Sequence, residues 1–267
     1  MITNMRKREH REAKRILEWI EHYKYNYSTI HYSCKSFCDT GLIPRITSIA
    51  ICDVYSGQSK SFSIHISALL LKILPEDIPE NYDKIEEDML RRYFEHLKTN
   101  EKTTFIHWNM RDCTYGFHTI ELRGKLFCLD AVFRLPNERK TDLSRLFAKL
   151  YGQEPQFKSL IELNYPLSRA FMDGKEEAIA FDKGEYVRLH QSTSVKAANI
   201  SKLLDLAING DLKTNVTRRS MYGLSVDGIT ATIRDTWYLS LTIWLISVFN
   251  SRFYCQSSIY TVGKIEL

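Results

Sequence analysis

The hydrophobic period of this chain switches from helical to strand-like near residue 26 and returns to helical after residue 75, which constrains its fold more than any other feature. Residues 5–24 carry Ala13, Ile16, Leu17 and Ile20 at helical spacing, with charges on the opposite face. Tyr27 to Ser33, Ile46 to Tyr55 and Lys60 to Ile66 are instead rich in β-branched and aromatic residues, the composition of strands. Gly57, within Tyr55-Ser-Gly-Gln58, supplies a turn that makes the second and third of these a hairpin. After Pro75 and Pro79, the segment from Tyr82 to Leu97 aligns Ile85, Met89, Leu90, Tyr93, Phe94 and Leu97 on one helical face. Thr103 to Trp108 reads as a short buried strand and Tyr115 to Arg123 as a helix, with further helices predicted over 142–151, 157–164 and 185–208. A hairpin followed by alternating strand and helix predicts an α/β (α+β) domain, a mixed sheet flanked by helices.

A chain of 267 residues without repeats or low-complexity stretches suits one domain of about 200 residues plus an appendage. The divisions fall at a basic amphipathic helix (1–26), a folded domain (27–208), a linker (209–235) and a hydrophobic C-terminal segment (236–263). The net charge of +5 and pI near 8.8 are mildly basic, short of the balance that marks a dedicated nucleic-acid binder. Much of the excess lies at the front, where Arg6, Lys7, Arg8, Arg11, Lys14 and Arg15 face only Glu9 and Glu12. Such a helix suits phosphate or an anionic membrane surface, or is simply a solvated helix start. Of the six cysteines, Cys34 and Cys38 lie close together, but no second Cys/His pair completes a zinc set. Free thiols in a reducing compartment, and no apolar leader for secretion, lead to the expectation of a cytoplasmic head.

Ser36-Phe-Cys-Asp-Thr-Gly-Leu42, followed by Pro44-Arg-Ile-Thr-Ser-Ile-Ala-Ile51, resembles the opening of a DEDD-type 3′–5′ exonuclease, a family with the RNase H-like fold. That family begins with a strand carrying D-x-E, often followed by T-G-L, and continues into a strand of the type R-I-x-x-I-A. Phe105-Ile-His-Trp-Asn109 resembles its second motif, and Tyr186-Val-Arg-Leu-His190 sits where the third would place its histidine. The resemblance covers roughly residues 27–208 and implies two divalent metals held by four carboxylates, which stabilise the attacking and leaving oxygens. The carboxylates do not follow. Alignment on Thr40-Gly41-Leu42 puts Ser36 and Cys38 at the D-x-E positions, and a shifted register puts Ser33 and Lys35 there. The aspartate of the second motif becomes Cys113, with Asp112 one residue early and Gly116 in another register. That of the third becomes Val195, followed by Lys196, whose charge repels magnesium. The resemblance therefore implies a degenerate, non-catalytic site with no cofactor; Mg2+ enters only if displaced carboxylates form an active exonuclease.

For that active alternative, Asp39, Asp53, Asp112 and His190 are the catalytic candidates. Asp130 and Asp142 are further carboxylates for a relocated site. Each aspartate also has a plain role: Asp39 in a turn, Asp53 at a strand end, Asp112 and Asp142 as helix caps. His107, Trp108 and Asn109 form a polar and aromatic cluster in which Trp108 either stacks a base or packs in the core. Arg111, Tyr115, His118, Glu121 and Arg123 follow, either as a polar pocket or as a solvated helix face. His190-Gln-Ser-Thr-Ser194 with Lys196 offers hydroxyls and an ammonium to a phosphate if it opens a helix, and exposed small residues if it lies inside one. Nucleic-acid or phosphate binding is thus assigned to His107, Trp108, Asn109, His190, Ser192, Thr193 and Lys196. No Gly-rich phosphate loop and no serine-hydrolase elbow occurs.

The run Thr236 to Ser251 is 16 residues without charge, between a core helix and a membrane span of about 20 residues. If Arg252 snorkels, the segment extends through Val262, with Trp237, Tyr238 and Tyr260 near the interfaces and Arg218, Arg219 and Arg234 cytoplasmic. The competing reading is two strands or a core helix, since Leu239, Leu241 and Ile243 alternate with Ser240 and Thr242. The expected partners are nucleic acid or a nucleoprotein complex, a further protein, and the inner membrane through 236–263. In layout alone, a cytoplasmic head with such a tail resembles toxic membrane effectors of bacterial anti-phage systems, retrons among them. The enzyme alternative is the exonuclease, and a third is a soluble interaction protein.

Overall fold

The computed structural model describes residues 2–35, 43–111, 115–129, 132–216, 241–242 and 244–245. The chain divides into two compact units, His10–Thr214 and a smaller one made of Met1–Glu9 with Asn215–Leu267. In the smaller unit the described residues are the start of a helix, Asn215 and Val216, and four C-terminal helical residues, of which Leu241, Trp244 and Leu245 are exposed. Among the described residues no helix is long and apolar enough to cross a membrane. The rest of the 236–263 segment lies outside them.

In the larger unit, α1 (Ile2–His22, entering from the smaller unit) leads into β1 (Tyr27–Cys34), β2 (Ile46–Asp53) and β3 (Ser59–Ser63). Then come α2 (Ile64–Leu70), α3 (Tyr82–Thr99), β4 (Thr104–His107), α4 (Phe117–Leu126), β5 (Lys140–Asp142) and α5 (Leu143–Tyr151). The unit closes with α6 (Phe157–Asn164), α7 (Gly174–Asp182) and α8 (Tyr186–Asn209). One mixed sheet has the order β3-β2-β1-β4-β5. β1, β2 and β3 form an antiparallel meander, while β4 is parallel to both β1 and β5. The expected mixed sheet flanked by helices is present.

The two faces of the sheet differ in chemistry. Ile30, Tyr32, Ile49, Ile51 and Phe62 point to one side and form a core with Ile85, Met89, Tyr93 and Phe94 of α3. On the other side, Ile106 and Trp108 join Leu17 and Ile20 of α1, Leu146 and Phe147 of α5, and Ile200 and Leu203 of α8. Beneath α8, however, β1 presents Thr29, His31 and Ser33, and the register sets Ser33 opposite Ser48 and Ser48 opposite Ser63. Directly opposed residues share a face, so three serines run across three strands under a helix.

The hairpin forms as expected, with Gly57 at φ 71 and the Asp53 carboxylate accepting from the backbone and hydroxyl of Ser56, both at 2.7 Å. The third strand ends three residues early: Ile64, Ser67 and Ala68 are buried at i, i+3 and i+4, a helical spacing, so α2 begins at Ile64. Gly124 permits a close approach of α4 to α3, since a Cβ there would lie 2.5 Å from the Phe94 ring.

Glu86 ties these elements together. It is fully buried, and one carboxylate oxygen accepts from the Ile46 backbone N–H at 2.7 Å and from Arg123 Nε at 2.9 Å. Its other oxygen accepts from Arg123 Nη2. Burial raises the Glu86 pKa, and the hydrogen bond from Arg123 opposes the rise. Arg123 is therefore a structural partner of α3 rather than part of a polar pocket with His118 and Glu121. Removing one member of a buried pair leaves the other charge uncompensated, at a cost of about 3–5 kcal/mol. Arg123→Met should lower stability to urea by that order, and Glu86→Gln added to it should restore a substantial part.

Candidate functional site

α8 crosses β1 and β2, and its interior positions meet the polar face of the sheet. Thr29 Oγ1 donates to the Ala197 carbonyl at 2.8 Å. Three buried hydroxyls form a chain: Ser48 lies 2.6 Å from Thr193, Thr193 donates to Ser33 at 2.8 Å, and Ser33 donates to Glu177 Oε1 at 3.0 Å. Each hydroxyl has one proton to give; Ser33 spends its proton on the carboxylate, and that of Thr193 is shared between Ser33 and the Leu189 carbonyl, 2.9 Å away. Ser192 donates to the same oxygen at 2.8 Å, and Lys196 Nζ reaches it at 2.6 Å. The Lys196 and Glu177 side chains are only 9% and 12% exposed. The ammonium also stands over the Phe171 ring at 5.4 Å.

These residues are brought together, but not as a phosphate site. Ser192, Thr193 and Lys196 lie inside α8, which starts at Tyr186, so no free backbone N–H groups accompany them. The hydroxyl protons of Ser192 and Thr193 are already spent within this network, and Lys196 is held by Glu177. Nor do the described surroundings of Ser33 and Lys196 fit a divalent metal pair, because among the described residues they offer Glu177, and an ammonium holds it. Among the described residues no group of three His, Cys, Asp or Glu is placed to bind a metal ion. His31 lies beside this network, its Nδ1 buried without a hydrogen-bond partner and its ring stacked on Phe157 at 6.4 Å. Burial, assisted by the Lys196 charge, drives its pKa well down, so the ring is neutral.

His190 belongs elsewhere. It opens toward β3, with Nε2 2.7 Å from Ser61 Oγ and its ring 4.9 Å from that of His65. His107 ends β4 on the far side of β1 and β2, so the structure does not unite the second-motif and third-motif histidines. Trp108 is 5% exposed, packed at 5.9 Å from Phe147 and 4.9 Å from Phe157, which makes it a core residue and not a stacking platform. Asn109 is exposed at φ 53, a backbone region that asparagine tolerates, with its N–H toward Asp142 at 3.4 Å. Asp142 caps α5 by accepting from Ser144 N at 3.0 Å and pairs with Arg111, also at 3.0 Å. Asp53 serves the hairpin turn. Asp39, Asp112 and Asp130 lie outside the described residues.

A cleft of about 1010 Å³ opens along the β5 edge, between α1, α4 and α5. His107, His118 and Glu121 line it, together with several arginines and lysines. His107 Nδ1 accepts from the Met110 backbone N–H at 3.2 Å. The neutral ring therefore carries its proton on Nε2. Burial lowers the His107 pKa, with Asp142 pulling the other way.

Glu177 is the residue that the sequence reading missed, because α7 was not foreseen. Its signal was Asp173-Gly-Lys-Glu176, a capping box in which Asp173 accepts from Glu176 N at 3.1 Å and Glu176 accepts from Asp173 N at 2.7 Å. β5, at three residues, carries no usable period. No protein-family model matches the chain, and no curated protein is significantly similar to it.

The depressed histidines set an acid limit. Burial takes His190 and His96 from 6.5 down to about 4. The unfolded chain takes up protons near 6.5 while the folded one does so only near 4, so this stability is complete above the first value and is lost as pH falls toward the second. The urea midpoint should hold above neutrality and fall across that window. His190→Gln should make the fall shallower.

Proposed function

We propose that this chain is a non-catalytic RNase H-like sensor or effector that binds nucleic acid or a nucleoprotein partner and acts at the inner membrane through residues 236–263. The observation that carries the non-catalytic reading is the Lys196 ammonium on Glu177, one residue after Val195 on α8, where the resemblance would have a metal-binding carboxylate. A lysine there supplies permanently the positive charge that a nuclease borrows from its metals, and it cannot stabilise both oxygens of an in-line displacement. The sheet order β3-β2-β1-β4-β5, with β2 alone running against the others, supports the RNase H-like assignment. The membrane role rests on the uncharged run after Asp235 and on the layout it shares with anti-phage membrane effectors, retron effectors included.

Two measurements test this function. The full chain should leave labelled single-stranded DNA intact in Mg2+ or Mn2+, and neither ion should raise its melting temperature, as a bound ion would by mass action. Magnesium-dependent degradation abolished by Asp112→Ala would instead establish an exonuclease with displaced carboxylates. In fractionated cells, the full chain should enter membranes and arrest growth, while a version ending at Gly228 stays soluble. Recovery of the full chain without detergent would remove the membrane role and leave an interaction protein.

A further inference from the structure

We propose that the cleft along the β5 edge is the seat of a single-stranded nucleic acid, with Arg15, Arg134 and Arg145 on its phosphates and Trp19 stacking a base. The assignment rests on the nucleic-acid reading above, but it moves the contact away from the α8 network to a separate surface.

Among the described residues, the charges that line the cleft do not cancel. Two of its acids are already engaged, Glu12 with Lys149 at 2.9 Å and Asp142 with Arg111 at 3.0 Å. The third, Glu121, is buried and faces Lys140. Arg15, Arg134 and Arg145 line the same cleft, are exposed, and make no ion pair or hydrogen bond among the described residues. They come from three separate elements: α1, the loop before β5, and α5. An array of guanidinium groups without a direct ion-pair partner among the described residues, of which Arg145 feels a nearby carboxylate, Glu154, concentrates positive potential in one concavity and favours a ligand with several phosphates.

Two further groups point to a nucleic-acid strand rather than to a lone anion. Trp19 lines the cleft at 59% exposure, its ring 4.4 Å from that of Tyr23, so it has a supported and accessible aromatic surface. Base stacking on such a surface is tolerant of sequence. His107 is 3% exposed, lines the cleft, and has its Nε2–H without a partner among the described residues while Nδ1 is occupied by Met110. It is a neutral donor held ready at the floor. A volume of about 1010 Å³ also reaches the upper end of the roughly 300–1,000 Å³ range of small-molecule pockets, which leaves room for more than one nucleotide.

The test is fluorescence anisotropy of the full chain with a labelled single-stranded DNA oligonucleotide over a salt series. Changing Arg15, Arg134 and Arg145 together to Gln should weaken binding and reduce the slope of log K against log salt by about 2, at roughly 0.7 for each single-strand phosphate. Trp19→Ala should weaken it about tenfold and Trp19→Phe much less. A control with Lys98, Lys175 and Lys183 changed to Gln loses the same charge from exposed positions outside the cleft and should keep the parent affinity. Equal losses in the two triple variants, or displacement by polyglutamate as efficient as by unlabelled DNA, would mean a diffuse polyanion effect and overturn the site. Unchanged binding by the arginine variant would overturn the cleft and leave the nucleic-acid reading standing. No binding by the parent chain would overturn both.

Discussion

The seating of α8 on a polar sheet face is the constraint on which the rest of this structure depends. A helix lying over a buried sheet normally covers branched aliphatic side chains. Here it covers Thr29, His31, Ser33 and Ser48, and every donor in that layer needs an acceptor away from water. Ser48, Thr193 and Ser33 are linked by hydrogen bonds that reach Glu177, the Leu189 and Ala197 carbonyls accept from Thr193 and Thr29, and Lys196 neutralises the carboxylate. A pair at this burial is stabilising only while its remaining lone pairs and protons are also satisfied. The hydroxyls of Ser33 and Ser192 add two hydrogen bonds to the oxygen that Lys196 engages, Oε1. The layer thus acts as a unit, and α7 brings the carboxylate, Glu177, on which its hydrogen bonds converge.

The strand order separates two chemistries that the sequence places side by side in its motifs. β1 sits at the centre with β2 on one side and β4 on the other, the point at which the order of an open sheet reverses. Crevices beyond the strand ends at such a point commonly bind ligands. Among the described residues, that region holds Phe157, whose ring neighbours those of His31 and Trp108, and the Glu177–Lys196 pair. The open concavity lies further along, at the β5 edge, where three helices leave an edge strand of three residues uncovered. Function is therefore sought at the edge of the sheet, and the centre is read as structural.

The helical elements were legible where their period was long. The face of Tyr82 to Leu97 packs as its spacing requires, and residues 157–164 form a helix over that very span. The elements that escaped were short: α2 continues from a strand without a break in apolar content, β5 has three residues, and α7 buries little besides Ala180. Among the site residues, Asp142 is the cap that Thr141-Asp-Leu-Ser-Arg145 suggests, because a cap is a local interaction. Trp108 and the run from His190 to Lys196 each allowed two readings, because burial depends on what packs from elsewhere in the chain.

The sequence alone determined the kind of chain this is: a strand-rich stretch with a hairpin, a long amphipathic helix and a helical second half. Those are local properties of period and composition, and they hold whatever the elements touch. Only the tertiary structure decided that Lys196 meets Glu177, that Arg123 meets Glu86, and that three arginines from separate elements share one cleft. Such pairings join segments that approach each other only once the sheet has set their distance. Coulomb and hydrogen-bond energies depend on that distance and on the exclusion of water, and neither is written in the order of the residues.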